Sequence, residues 1–380
     1  MGATALPRTL GLPDFPWDTL GDARQLAASH PGGIVDLSVG TPIDPTPTSA
    51  QVALTDRANA PGYPLVAGTP QVRAAIRRWC DRRGMVALGD NAVVPTTGSK
   101  EIVAWLPKLL GVGPGDTVLY PDVAYPTYQV SAVLAGATPV PVNQFATDTW
   151  PTGGAFLWLN SPSNPTGQVA TTEQLRAAVQ WARQCGAVIT ADECYAELPW
   201  DIDRVPSLLD PDVCDGDTTG LLVTYSLSKQ SNMAGYRGAF LAGDPTLIAA
   251  VIEARKHAGM MVPTPVQAAI SAALDDHESV AQQRERYRRR RQWLLEAVTA
   301  AGLTPDPDTT AGLYLWLSAP DGMDLPGAPN RGRQLVQWFA QRGILVAPGD
   351  FYGAHSQDRV RMALTGSDER VEAACQRLKS

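Results

Sequence analysis

Gly220-Leu-Leu-Val-Thr-Tyr-Ser-Leu-Ser-Lys229, followed by Gly235-Tyr-Arg237, is the stretch on which the reading of this chain turns. An apolar run ends in a hydroxyl-rich turn that carries one lysine, and an arginine lies eight residues beyond it. A lysine so placed can form a Schiff base with an aldehyde. Ser226 and Arg237 can hold a phosphate on the same molecule, because the planar fork of arginine grips phosphate in a bidentate way. Lysine is scarce: of 31 basic residues only Lys100, Lys108, Lys229, Lys256 and Lys379 are lysines. Few side chains therefore compete with Lys229 for this role.

Four further stretches fit the same chemistry. Gly98-Ser-Lys-Glu101 follows the strand-like Ala92-Val-Val-Pro95 and opens a helix. Free N–H groups at a helix start attract phosphate, although an ordinary glycine turn with a serine cap has the same composition. Tyr120-Pro-Asp-Val-Ala-Tyr-Pro-Thr-Tyr128 reads as an aromatic, proline-rich turn that also offers Tyr125 as a ring to stack on a flat ligand. Asn160-Ser-Pro-Ser-Asn-Pro-Thr-Gly167 follows an apolar strand, where ligands bind in α/β sheets, and Asn164 can donate and accept at once. Ala191-Asp-Glu-Cys-Tyr-Ala-Glu197 ends another buried strand. A carboxylate there needs a positive partner, and a protonated pyridine nitrogen is one, so Asp192 would keep such a ring able to draw electrons. Taken in order, these features give the layout expected of a pyridoxal phosphate site. No nicotinamide fingerprint competes: Gly111-Val-Gly-Pro-Gly115 is followed by Asp116, and no GxxxxGK[ST] loop occurs.

The bulk properties agree with an enzyme. At 380 residues, two domains are the prior. A net charge of −7 argues against a nucleic-acid partner. The basic run Arg284-Glu-Arg-Tyr-Arg-Arg-Arg-Arg-Gln292 is interleaved with or preceded by acids and reads as a solvated helix face. Five cysteines without CxxC or Cys/His ligand spacing read as reduced thiols and no metal site. With no signal-like start and no membrane-length apolar run, the chain reads as cytoplasmic. The 18% charged content suggests that surface is buried in an oligomer.

Residues 1–45 read as an extended arm containing a short strand, Ile34-Val-Asp-Leu-Ser38. Beyond it, helices are predicted over 70–83, 98–110, 125–136, 172–185 and 245–258. Strands are predicted over 92–95, 117–120, 138–142, 155–159, 186–191, 220–225 and 238–242. Such alternation predicts an α/β fold, a mostly parallel seven-stranded sheet between helices. A long helix over 275–301 follows, then strand 312–317, helix 332–342 and strands 344–347 and 360–364, which suggest a smaller α+β domain.

With these motifs in place, the chain resembles the fold-type I pyridoxal phosphate enzymes, and within them the class I and II aminotransferases, over nearly all its length. The resemblance implies a large cofactor domain over 46–270 and a small domain from 1–45 and 271–380. It implies that Lys229 binds the cofactor aldehyde and moves the substrate proton, and that Asp192 pairs with the ring nitrogen. Asn164 and Tyr195 match partners of the ring hydroxyl, Tyr125 the stacking ring, and Gly98, Ser99, Lys100, Ser226 and Arg237 the phosphate cup. Tyr63, in Gly62-Tyr-Pro64, matches a tyrosine that reaches the phosphate from a neighbouring subunit, implying a homodimer. Arg361, in Arg361-Met-Ala-Leu364, matches the arginine for the substrate α-carboxylate, with Arg359 on the same strand face as its rival. Gly40 matches the glycine that lets substrate approach, and Pro348-Gly-Asp-Phe-Tyr-Gly353 the loop ahead of that arginine.

The arm, Val35-Asp-Leu-Ser-Val-Gly-Thr-Pro42, Lys100-Glu-Ile-Val-Ala-Trp-Leu-Pro107 and Met260-Met-Val-Pro-Thr-Pro-Val-Gln267 are similar, more narrowly, to the actinobacterial N-succinyldiaminopimelate aminotransferases of lysine biosynthesis. That implies glutamate and 2-oxoglutarate as one substrate pair and N-succinyl-LL-diaminopimelate as the other amino compound. Aspartate, aromatic or alanine specificity, or a C–S β-lyase, would use the same core residues. A regulator that merely binds the cofactor would need a DNA-binding segment that this sequence lacks.

Overall fold

Seven strands form the central sheet, in the order Val93–Thr97, Gly238–Gly243, Leu221–Ser226, Val188–Asp192, Phe156–Asn160, Thr117–Pro121, Thr138–Val142. The molecule is described here from a computed structural model covering residues 11–13 and 15–379. Residues 1–10, Asp14 and Ser380 of the predicted arm and tail lie outside the described residues. Gly238–Gly243 runs antiparallel to both neighbours and the other pairings are parallel. Phe156–Asn160 and Leu221–Ser226 are buried along their whole length, as a sheet covered on both faces requires.

Alternate side chains leave each strand on opposite faces. Val94, Val118, Phe156, Trp158 and Leu222 pack with helices Ser99–Leu109, Thr127–Ala135 and Pro245–Ala258. Leu119, Leu157, Ile189, Leu221 and Val223 pack with Pro70–Arg82, Thr172–Cys185 and Thr264–Asp275. Three parallel strands side by side end in Asn160, Asp192 and Ser226, so the sheet gathers three candidate residues at one edge.

A second apolar core holds the four-stranded sheet Ala347–Pro348, Arg359–Ala363, Tyr314–Ser318, Thr304–Pro305. The predicted strand over 344–347 divides in two. Ile344–Leu345 pairs with Val35–Asp36, whereas Ala347–Pro348 pairs with Arg359–Ala363. The arm is less extended than its prolines suggest: Pro16–Leu20 is a 3₁₀ turn and Gly21–Ala28 an α-helix. Leu20, Ala23 and Ala27 recur at helical spacing and are buried, and burial of that stripe against Arg331–Gln341 outweighs the weak local signal.

The basic run is not simply a solvated face. It lies on helix His277–Ala300, where Arg290 is 2% exposed. Arg290 donates to both carboxylate oxygens of Asp44, each at 2.7 Å, and to Asp368 at 2.7 Å. Arg289 and Arg291 pair with Asp368 and Asp201. Helical rotation turns part of the run inward, where a buried guanidinium persists because carboxylates from both ends of the chain meet it.

Glu193 is buried beneath the sheet edge, and its Oε1 accepts from Ser207 Oγ at 2.8 Å and Leu208 N at 2.9 Å. Burial pushes its carboxyl up to about 7, against the opposing pull of Arg83. Folding thus favours the protonated form, so this group's contribution to stability falls as pH rises from the carboxylate range through about 7. Glu193→Gln is expected to match the wild type near pH 4 and to exceed it above pH 7 by up to about 3 kcal/mol, read from thermal melts across that range. A gap between the two proteins that does not vary with pH would refute the assignment. Among the described residues no helix is long and apolar enough to cross a membrane.

Candidate active site

A cavity of about 460 Å³ opens at the C-terminal ends of the central strands. Gly40, Ser99, Lys100, Tyr125, Asn164, Asp192, Tyr195, Ser226, Lys229, Arg237 and Arg361 all line it. Gly98 stands directly behind, with φ +75°, and a Cβ there would run into the Arg237 guanidinium. Tyr63 is not among the lining residues. Its side chain is 95% exposed.

Asp192 closes strand Val188–Asp192 and is buried. Its Oδ2 accepts from the Tyr128 hydroxyl at 2.9 Å and its Oδ1 from the Cys194 N–H at 3.1 Å. Burial pushes its carboxyl up, against these two donors, and among the described residues no cation pairs with it. Lys229 follows the strand end in the turn Leu227–Gln230 and donates to the Gly40 carbonyl. Burial lowers its ammonium, assisted by the positive charges of Arg361 and Arg237, which holds the amine toward its neutral, nucleophilic form.

Arg361 is 2% exposed on strand Arg359–Ala363. It donates to Asn164 Oδ1 at 2.8 Å and to the Ser38 carbonyl at 2.7 Å, and its guanidinium lies 3.9 Å from the centre of the Tyr314 ring. Its Nε has no partner among the described residues, and no carboxylate pairs with it there. Arg359, its rival, is bound at 2.7 Å to Asp306 and is absent from the cavity lining.

The residues expected to hold a phosphate line this cavity, with Gly98 behind Arg237. Ser99 begins helix Ser99–Leu109, Ser226 Oγ is 2.8 Å from Ser228 Oγ, and Arg237 is held in a left-handed conformation with one bond to the Ala234 carbonyl. Lys100 reaches elsewhere: its Nζ lies 5.5 Å from the Phe15 ring centre and 5.9 Å from that of Tyr125. The aromatic turn also follows a strand, Thr117–Pro121, so every motif of the set is attached to the same sheet.

Several lining residues escape the sequence reading: Phe15, Trp17, Arg24, Tyr128, Cys194 and Tyr314. Tyr128 lies inside a quoted motif, yet only the fold reveals that its hydroxyl meets Asp192. Asn160, the last residue of strand Phe156–Asn160, braces the loop that follows: its side chain donates to the Pro162 and Asp192 carbonyls and accepts the Asn164 N–H.

A buried carboxylate without a cation and a buried guanidinium without a carboxylate, both facing one cavity, call for a ligand that carries the two opposite charges. Pyridoxal phosphate with an amino acid satisfies both, and the Gly98–Arg237 cradle and the helix start suit its phosphate.

The profile described as Aminotransferase class I and II matches residues 33–378. A Mycobacterium tuberculosis protein named "Probable aminotransferase" is 52% identical, over 97% of this chain and 85% of its own length. The 4-dedimethylamino-4-oxo-anhydrotetracycline transaminase OxyQ of Streptomyces rimosus is 48% identical, over 97% of this chain and 99% of its own. Among solved structures, the probable N-succinyldiaminopimelate aminotransferase of Thermus thermophilus superposes with a TM-score of 0.84 at 28% identity, covering 96% of this chain and 99% of that one.

Proposed function

Because this chain belongs to the class I and II aminotransferases, which carry pyridoxal phosphate and exchange amino groups between amino and keto acids, we propose that its substrates are glutamate and N-succinyl-LL-2,6-diaminopimelate with their keto acids. The observation that carries this choice is the charge left over in the cavity. Five cations line it and Asp192 is the single acid among the lining residues. Arg237 serves the phosphate, Lys229 the aldehyde and Arg361 the α-carboxylate. Arg24 and Lys100 remain. Arg24 shares one 2.8 Å bond with Asp36 and is half exposed, and Lys100 forms no ion pair among the described residues. Both substrates carry a distal carboxylate for such groups to meet.

Bound pyridoxal phosphate supplies an aldehyde for amines and a ring that spreads the electron pair left on the substrate α-carbon. Arg361 fixes the α-carboxylate and so the direction of the α C–H bond. Lys229 takes that proton and returns it on the cofactor side, as general base and then acid. Asp192 would pair with the ring nitrogen and favour its protonated form, and Tyr128 holds Asp192 in place. Asn164, which accepts from Arg361, would donate to the ring hydroxyl, and Tyr125 would cover the ring face. The same reading takes 46–270 as the cofactor half and the two chain ends as the substrate half. It makes the molecule a cytoplasmic homodimer in which Tyr63 reaches the neighbour's phosphate.

Absorbance of the cofactor-loaded protein tests the assignment as donors are added singly. Glutamate and N-succinyl-LL-diaminopimelate are expected to convert the cofactor to its aminated form, with alanine and phenylalanine, which lack a distal carboxylate, much slower. Conversion by the latter alone removes the substrate assignment and leaves the aminotransferase. Release of pyruvate from cystathionine would mark a β-lyase. The likeness to OxyQ over 99% of its length supports a second reading, amination of a polycyclic ketone, and the same panel run from the aminated cofactor with such a ketone separates the two.

A further inference from the structure

Val93–Thr97 is the first strand of the central sheet, and among the described residues Gly238–Gly243 is its one neighbour, so its other edge faces no strand. The N–H and C=O groups on such an edge need partners from elsewhere. Two of them find a side-chain pair. The Pro95 carbonyl accepts from Arg255 Nη1 at 2.8 Å, and the Thr97 N–H donates to Glu101 Oε2 at 2.7 Å. Arg255 Nη2 also donates to Glu101 Oε2, at 3.2 Å. Glu101 Oε1 has no partner among the described residues, so the whole hold of this side chain runs through Oε2. The donors are a backbone N–H and a guanidinium, neither of which can accept, so the direction of each bond is fixed by the groups themselves.

The pair sits on the turn from strand to helix. Thr97 is followed by Gly98 and then by helix Ser99–Leu109, in which Glu101 is the third residue. In a capping box a glutamate at this position reaches back to the N–H of the residue before the helix. Here it reaches one residue further, while the Gly98 N–H donates to the Thr96 carbonyl at 2.9 Å. Gly98 brings no side chain to cap the helix, and no other side chain caps it. The N–H groups of the first turn therefore stay open to an anion, with the Arg237 guanidinium packed where a Gly98 Cβ would stand. A carboxylate in that turn would itself draw on the positive helix end. Arg255, fully buried, takes up its charge and ties it to the strand edge.

We propose that Glu101, held by Arg255, is a positioning residue for the cofactor phosphate: by fixing the Thr97 N–H it sets the Gly98 turn and the open first turn of helix Ser99–Leu109 where the phosphate needs them. The inference rests on the cofactor reading above and not on the choice of substrate. Ser99 lines the cavity and neither Glu101 nor Arg255 does, so the effect reaches the phosphate through the backbone from Thr97 to Ser99.

The experiment compares two aldehydes in absorbance titrations of the full-length, cofactor-free protein: pyridoxal phosphate, and pyridoxal, which lacks the phosphate. Both can meet Lys229 and Asp192, and only the first meets the helix start. Glu101→Ala removes the acceptor of Thr97. It is expected to raise Kd for pyridoxal phosphate about 3- to 10-fold and Kd for pyridoxal by less than about 2-fold. The single change leaves Arg255 buried without its carboxylate, which can cost the variant its fold. The double variant Glu101→Met with Arg255→Met removes both charges at similar volume, a replacement that buried ion pairs often tolerate. It is expected to show the same selective loss. Equal losses for the two aldehydes, which a merely structural role predicts, overturn the proposal, as does an unchanged Kd for pyridoxal phosphate. A wild type that holds pyridoxal as tightly as pyridoxal phosphate would instead remove the phosphate reading on which the proposal rests.

Discussion

Lys229→Ala is expected to lose amino transfer from glutamate by at least about 10⁴-fold in kcat. Three features meet on this one amine. It sits in the turn that directly follows the central strand Leu221–Ser226 and lines the cavity. Burial and two neighbouring guanidinium groups favour its neutral form, and its bond to the Gly40 carbonyl ties its position to the arm. Alanine removes the nucleophile and the proton carrier together, and water cannot replace a positioned base at comparable rate. The phosphate-binding groups are untouched, so the variant should still retain cofactor, visible in its absorbance after gel filtration. Sustained turnover in that cofactor-loaded variant would place the chemistry on another residue.

Arg361→Leu is expected to lower kcat/KM for every α-carboxylate donor by about 10²–10³-fold. Two of the five guanidinium donors serve Asn164 and Ser38, leaving Nε and the remaining Nη hydrogens for a ligand. Removal of the side chain also takes the donor from Asn164 and the cation from the Tyr314 ring. Arg361→Lys should recover little, since a point charge cannot bridge Asn164, Ser38 and a carboxylate at once. The informative comparison is an amine that lacks the carboxylate. Its kcat/KM should hardly change between wild type and Arg361→Leu. A loss equal to that seen for amino acids would make Arg361 a structural support only.

The large sheet was legible because its strands are buried on both faces and write themselves as apolar runs, as in Leu221–Ser226. The same burial announced Asp192, since a carboxylate at the end of such a run stands out. Two stretches misled. Arg290 sits in a run that composition alone assigns to solvent, and only the rotation of helix His277–Ala300 sets it between Asp44 and Asp368. The helix Gly21–Ala28 follows two prolines and has weak propensity. Its place depends on an apolar stripe docked against residues some 300 positions later. Tyr314 and Tyr128 carried no local signal as site residues. A tyrosine on a strand or in a helix is ordinary, and its significance comes from the partner that the fold supplies. Charge spacing along the chain cannot report such pairs.

The Arg290 junction has a consequence for how this protein comes into being on the ribosome. The arginine joins Asp44, 246 residues earlier in the chain, to Asp368, 78 residues later. The seven central strands end at Gly243, so their sheet can assemble before residues 244–379 have been made. The cavity cannot follow it: Arg361, which lines it, lies 118 residues beyond the last of those strands (361 − 243). A nascent chain can therefore gain its sheet before the arginine that we propose binds the substrate. Completion of the sheet is therefore not the point at which the cavity first has its full lining.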